Sequence, residues 1–135
     1  MASSPAEIVR EFIGKVGTPD ADPFWSESAV LEVPFAPDPW PTRISGNSAV
    51  LEYMGGVHTV LSGWRMGIDE LYDTGTETII VEMHGAGTVV ATGKPYKQNY
   101  IAVLKVVDGK VDLWREYSNP LPVFEAFGDS ETVGA

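Results

Sequence analysis

Glu116 sits in the run Val111-Asp112-Leu113-Trp114-Arg115-Glu116-Tyr117-Ser118, which reads as a strand. Trp114, Glu116 and Ser118 then share one face, and Arg115 and Tyr117 the other. If the Trp114 face is concave, Glu116 is a carboxylate among aromatics. Burial there raises its pKa and makes it a usable general acid or base near neutral pH. The plainer reading is a surface glutamate paired with Arg115 or Lys110. Tyr100 is a candidate for donating a hydrogen bond to a substrate oxygen. Tyr100 suits a core position with its hydroxyl at the rim equally well.

The remaining polar candidates carry weaker signals. His58 and His84 are the only histidines. Strand parity turns Met83 and Gly85 inward and His84 and Glu82 outward. His58 lies one residue off a helical apolar stripe, which suits the rim of a pocket. Glu32 falls on the face opposite Leu31 and Val33, and Asp38 is an exposed loop acid by default. Two histidines at unrelated places make no metal motif, and the absence of cysteine excludes disulfides, thiolate nucleophiles and Cys-ligated zinc. No metal and no cofactor are expected.

These side chains need elements to hold them. Residues 5–16 read as a helix capped by Ser4, with Ile8, Val9, Phe12 and Val16 at helical spacing and Gly17 as the stop. Asp20 to Trp25 reads as a second, short helix with Phe24 and Trp25 inward. Ala29 to Phe35 reads as a strand with Leu31, Val33 and Phe35 on one face. Pro34, Pro37, Pro39 and Pro41 then force a loop around Trp40.

Gly46 to Leu61 reads as the longest helix, capped by Asn47 or Ser48, with Val50, Met54, Val57 and Leu61 as its stripe and Tyr53 beside it. Gly55-Gly56 weakens it by about 1 kcal/mol per glycine, which suggests that another element or a ligand approaches closely. Strands follow at 64–72, 78–92, 96–107 and 111–118, with Asp108-Gly109 as a hairpin signal. A short helix from Pro122 to Phe127 stops at Gly128, and the polar tail from Asp129 reads as frayed. Helices followed by an antiparallel meander mean a single α+β domain over 1–135, with the helices on one face of the sheet.

Several side chains would suit a hydrophobic ring compound. Phe35, Trp40, Met54, Trp64, Met83 and Trp114 supply aromatic or soft apolar surface, and Gln98 shares the face of Tyr100. Gly85 and Gly87 either make room for a ligand or permit sheet curvature. The apolar fraction is 44% over 135 residues, enough for a core. The net charge of −10, from 19 acids against 9 bases, argues against nucleic acid and anionic membranes as partners. No run approaches the ~20 apolar residues of a membrane span, and the N-terminus lacks the features of a signal peptide. A cytoplasmic location is expected by default.

The stretch Thr92-Gly93-Lys94-Pro95-Tyr96, the hairpin Asp108-Gly109-Lys110 with Trp114-Arg115-Glu116-Tyr117, then Asn119-Pro120 and Glu125-Ala126-Phe127-Gly128 resemble the SnoaL-like branch of the nuclear transport factor 2-like superfamily. Limonene-epoxide hydrolases, ketosteroid isomerases and phenazine-biosynthesis A/B proteins belong to the same group. The resemblance implies a cone, in which three helices of the N-terminal half close a strongly curved, mostly antiparallel sheet around an apolar pocket. It also implies a homodimer through the outer sheet face. It places a functional carboxylate at Glu116.

Other family positions are altered here. The arginine and aspartate of the epoxide hydrolases fall at Met83 and Gly85, the two acids of the steroid isomerases near Val33 and Ala102, and a histidine of the phenazine proteins at Tyr53. The group includes non-enzymes, so fold does not settle function. The expected activity is a cofactor-independent isomerase, cyclase or dehydratase acting on an apolar cyclic substrate, polyketide-like or terpenoid-like. Glu116 would move the proton, assisted by Tyr53 or Tyr100. A non-catalytic binding or interaction module and an epoxide hydrolase are the alternatives.

Overall fold

The computed structural model describes residues 3–127. Helix α1 (Pro5–Lys15) begins on a capping box: the Ser4 hydroxyl accepts from the Glu7 backbone N–H at 3.2 Å, and the Glu7 carboxylate accepts from the Ser4 N–H at 3.0 Å. Its apolar positions fall on one side, so Ile8, Val9, Phe12 and Ile13 are buried together. Gly17 ends the segment at φ +100°, a backbone that favours glycine.

A six-stranded sheet follows, made of β1 (Trp25–Glu32), β2 (Arg43–Ser45), β3 (Leu61–Asp73), β4 (Thr78–Val89), β5 (Pro95–Val107) and β6 (Lys110–Ser118). Their spatial order is β2-β1-β6-β5-β4-β3, with β1 and β6 parallel and every other pair antiparallel. Register shifts occur between Ser62 and Arg65, between Ile68 and Glu70, and between Lys105 and Val106. Such bulges bend a strand and increase its twist, which is how this unclosed sheet curves. The meander, the α+β class and the cone agree with the sequence reading. Burial alternates along β5, where Tyr96, Gln98, Tyr100, Ala102, Leu104 and Val106 all turn inward.

Helix α1 lies across the concave face. The ring of Phe12 meets Trp25 edge-on at 5.1 Å and Trp114 at 5.6 Å. Contacts of this kind contribute about 0.5–1.5 kcal/mol each beyond their buried area. Val9, Val50, Ile79, Val81 and Leu104 complete a core with almost no exposed surface.

Several elements depart from the sequence reading. The second helix is a 3-10 turn over Pro19–Phe24, because Pro23 inside it denies the backbone donor an α-helix needs. Trp25 therefore opens β1 instead of closing a helix. Strand β1 stops at Glu32, short of Phe35, since Pro34 cannot extend the ladder. The three-residue β2 was not legible, being too short to show a period.

Helix α2 (Asn47–Val60) is capped by the backbone of Gly46, with no side-chain cap. Asn47 instead donates to the carbonyl oxygens of Trp25 and Ser26 at 3.4 and 3.2 Å. Gly55 and Gly56 are exposed, with no heavy atom within 4 Å of where a Cβ would stand. They answer to no close approach. The third α-helix, α3 (Leu121–Phe127), lies at the C-terminal end and not in the N-terminal half. Gly128 and the tail from Asp129 lie outside the described residues. No helix among the described residues is long and apolar enough to cross a membrane.

Candidate active site

The cone holds a partly open cavity of about 140 Å³. Helix α2 turns Tyr53, Met54, Val57 and His58 into it, which explains why Val50 alone on that helix is fully buried. The rest of the stripe faces the cavity. Trp25 and Leu31 enter from β1, Trp64 and Met66 from β3, Tyr96 and Tyr100 from β5, and Trp114, Glu116 and Ser118 from β6. The proline loop and α3 cover the opening, with Trp40 and Phe127 in edge contact at 6.2 Å.

Among the described residues two acids line this space, the exposed Asp22 and the half-buried Glu116. The cavity reaches Glu116, and the cavity walls shield it from much of the bulk water. Burial raises its pKa from 4.5 to about 7, opposed by one hydrogen bond in which Trp114 Nε1–H donates to Oε1 at 3.0 Å. Neither neighbouring base reaches it. Arg115 turns to the outer face and pairs with Glu32 at 3.2 Å, and Lys110 Nζ donates to the Pro23 carbonyl at 2.6 Å. Among the described residues, no Lys or Arg lines the cavity. The carboxyl can therefore hold or release a proton near neutral pH with no counter-ion fixing its charge.

Three tyrosines surround this group electrically. Burial raises the pKa of Tyr100 most strongly, followed by the charge of Glu116. Tyr53 is raised for the same two reasons in the same order. Burial also raises Tyr96, and the Glu116 charge adds to it. All three stay protonated and can donate to an oxygen that gains negative charge. Tyr96 was not picked out from the sequence. Its signal was there, since it shares the inward parity of Gln98 and Tyr100 four residues away.

The other sequence candidates divide. Trp40, Met54, Trp64 and Trp114 line the cavity. Trp40 Nε1 is buried and has no hydrogen-bond partner among the described residues. Phe35 touches the cavity edge but is 63% exposed, packing edge-on against Tyr117 at 5.5 Å. Two assignments need correction. Met83 is 1% exposed in the core and does not line the cavity. Gln98 points inward but is fully engaged: its amide donates to Tyr96 Oη at 3.2 Å and to the Asn119 carbonyl at 2.7 Å, and its oxygen accepts from the Asn99 N–H at 3.1 Å. It braces Tyr96 and is not free for a ligand.

Gly85 and Gly87 make room for Trp64, not for a ligand: a Cβ on Gly85 would collide with the Trp64 ring. His84 lies on the outer face, with Nδ1 2.8 Å from Asp69 Oδ1. His58 sits at the cavity edge. Among the described residues no group of three or more His, Cys, Asp or Glu could hold a metal.

Residues 11–114 match the SnoaL-like domain family. The chain belongs to that family. It is 35% identical over 128 residues to the uncharacterized protein YesE of Bacillus subtilis, covering 92% of this chain and 87% of the relative. It is also 35% identical over 105 residues to the uncharacterized PhzA/B-like protein PA3332 of Pseudomonas aeruginosa, covering 77% and 74%. A crystal structure of a presumptive isomerase from Bacillus subtilis superposes with a TM-score of 0.81 at 34% identity, covering 93% and 94%. A structure of an epoxide hydrolase of the limonene type from Mycobacterium tuberculosis shares the fold alone, at 18% identity and a TM-score of 0.70, covering 90% and 87%. This SnoaL-like domain thus shares its cone with these structures.

Proposed function

We propose that the cavity is the active site of a cofactor-independent general acid/base enzyme of isomerase, cyclase or dehydratase type, acting on an apolar cyclic molecule of polyketide or terpenoid kind. The observation that carries this reading is the place of Glu116: a half-buried carboxyl facing the cavity, with no Lys or Arg in the lining among the described residues, and its pKa pushed up to about 7 by desolvation. A group so poised takes a proton from a carbon or hydroxyl beside a carbonyl and returns it elsewhere on the same molecule. Tyr53, Tyr96 and Tyr100 supply donors for the enolate or alkoxide oxygen. The isomerase named in the Bacillus subtilis structure is compatible with this chemistry.

Epoxide opening has less support. Met83 and Gly85 stand where the resemblance expects an arginine and an aspartate. Met83 is packed in the core, and Gly85 lies under Trp64.

The test is hydrogen–deuterium exchange at the carbon next to the carbonyl of cyclohex-2-enone in D2O, followed by NMR. The protein is expected to accelerate exchange, and Glu116→Gln to abolish the acceleration. Equal acceleration by both proteins, or none by the wild type, would sink the proton-transfer role and leave a binding module.

A further inference from the structure

Four features of the chain converge on Trp64. The register shift between Ser62 and Arg65 places a bulge at this residue, and bulges re-aim side chains. Its ring lies on Gly85 and Gly87 of the neighbouring strand. A Cβ at Gly85 would overlap the ring, and one at Gly87 would stand 3.2 Å from it. Gly17 admits its backbone from the other side, since a Cβ there would stand 2.5 Å from the Trp64 carbonyl oxygen. The ring also stacks on Tyr96 at 5.7 Å and meets Tyr100 edge-on at 6.5 Å. Trp64 is therefore a fixed wall, seated in a slot that three glycines keep open.

That wall decides how much space remains. The cavity holds about 140 Å³. An engineered cavity of roughly 150 Å³ in another protein takes up benzene, whereas sites for drug-sized ligands span about 300–1,000 Å³. The volume is that of one ring. Among the described residues no Lys or Arg lines it, so it offers no permanent cation to pair with a carboxylate or phosphate, while its tyrosine and indole donors suit a neutral oxygen.

We propose that Trp64 sets the size limit of this site, restricting it to neutral molecules with a single six-membered ring bearing an oxygen and excluding fused two-ring compounds. This rests on the reading that the cavity receives the substrate, and it narrows the substrate class.

The probes are p-cresol and 2-naphthol, with dissociation constants measured by isothermal titration calorimetry at pH 7. A hydrophobic site without a size limit favours the larger compound, because more apolar surface leaves water. The wild type is expected to bind p-cresol at least about tenfold more tightly, a difference well within calorimetric reach. Trp64→Ala is expected to reverse the order. Trp64→Leu keeps more of the packing and is expected to reverse it partly. Tighter binding of 2-naphthol by the wild type overturns the proposal, as does failure of the wild type to bind p-cresol at millimolar concentration. An unchanged ratio of the two affinities in a folded Trp64 variant overturns it too, with folding checked by circular dichroism. The wild-type order is decisive even if neither variant folds. Glu116→Gln is expected to keep the size order while losing proton exchange, so the size limit and the catalytic role fail separately.

Discussion

Trp114 Nε1 donates to Glu116 Oε1 at 3.0 Å, from two residues earlier on the same face of one strand. The bond holds one carboxylate oxygen and leaves the other to the cavity. It also stabilises the ionised form, which opposes the effect of burial. Trp114→Phe keeps an aromatic ring against Phe12 and removes the donor. The Glu116 pKa is expected to rise above about 7, read by carbon-13 NMR of the labelled carboxyl. A value unchanged or lowered in Trp114→Phe would show that the bond does not tune the acid.

Glu116 also makes stability depend on pH. Its pKa is 4.5 when unperturbed and about 7 in the fold, so between these values the folded chain binds more protons than the unfolded one. Stability is then fully present below about pH 4.5 and is lost as pH rises towards 7 and beyond. The total is at most about 3.5 kcal/mol, at about 1.4 kcal/mol per pKa unit, and less for a half-exposed carboxyl. Glu116→Gln removes this dependence. Subtracting its unfolding free energy from that of the wild type, by urea denaturation at pH 5 and pH 8, cancels the other titrating groups. The variant is expected to gain on the wild type as pH rises. A difference that stays flat across this range would place the carboxyl in contact with solvent.

Trp40 offers a different separation. Its buried indole N–H has no partner among the described residues, and leaving a buried donor unpaired costs about 1–3 kcal/mol. Phenylalanine at this position keeps much of the edge contact with Phe127 and removes the orphan. Trp40→Phe is expected to leave the thermal midpoint unchanged or higher. If a ligand oxygen reaches the indole N–H, the same variant weakens p-cresol binding by about three- to tenfold, the range of one neutral hydrogen bond. Calorimetry alongside a melting curve gives both values. A lower midpoint with unchanged affinity would assign Trp40 to structure alone.

The sequence carried the sheet well and the loops poorly. Alternation made the inward face of β5 legible at Tyr100 and Ala102, and the parity of Trp114 and Glu116 followed in the same way. Helical spacing identified the α2 stripe but not why Met54 and Val57 stay half-buried, because spacing does not reveal whether a stripe faces atoms or a void. Gln98 and Met83 looked like pocket residues by parity. Parity gives the face, while the depth along the strand decides between core, bracing and cavity. The partner of Gly85 was hidden for a related reason: Trp64 lies 21 residues away, and the bulge that aims it appears only once β3 and β4 are paired.

That pairing of Trp64 with Gly85 can be tested for stability as well as size. A Cβ at Gly85 overlaps the ring, and the ring is also stacked on Tyr96. Overpacking of this kind costs about 1–3 kcal/mol. Gly85→Ala alone is expected to lose at least that much in urea denaturation. Trp64→Leu alone loses the aromatic contacts, but the double variant no longer brings Cβ and indole into conflict. The two substitutions should therefore be less damaging together than the sum of the single effects, by about 1 kcal/mol or more. Simple additivity would mean that the ring gives way elsewhere, so that the glycine is not what seats it.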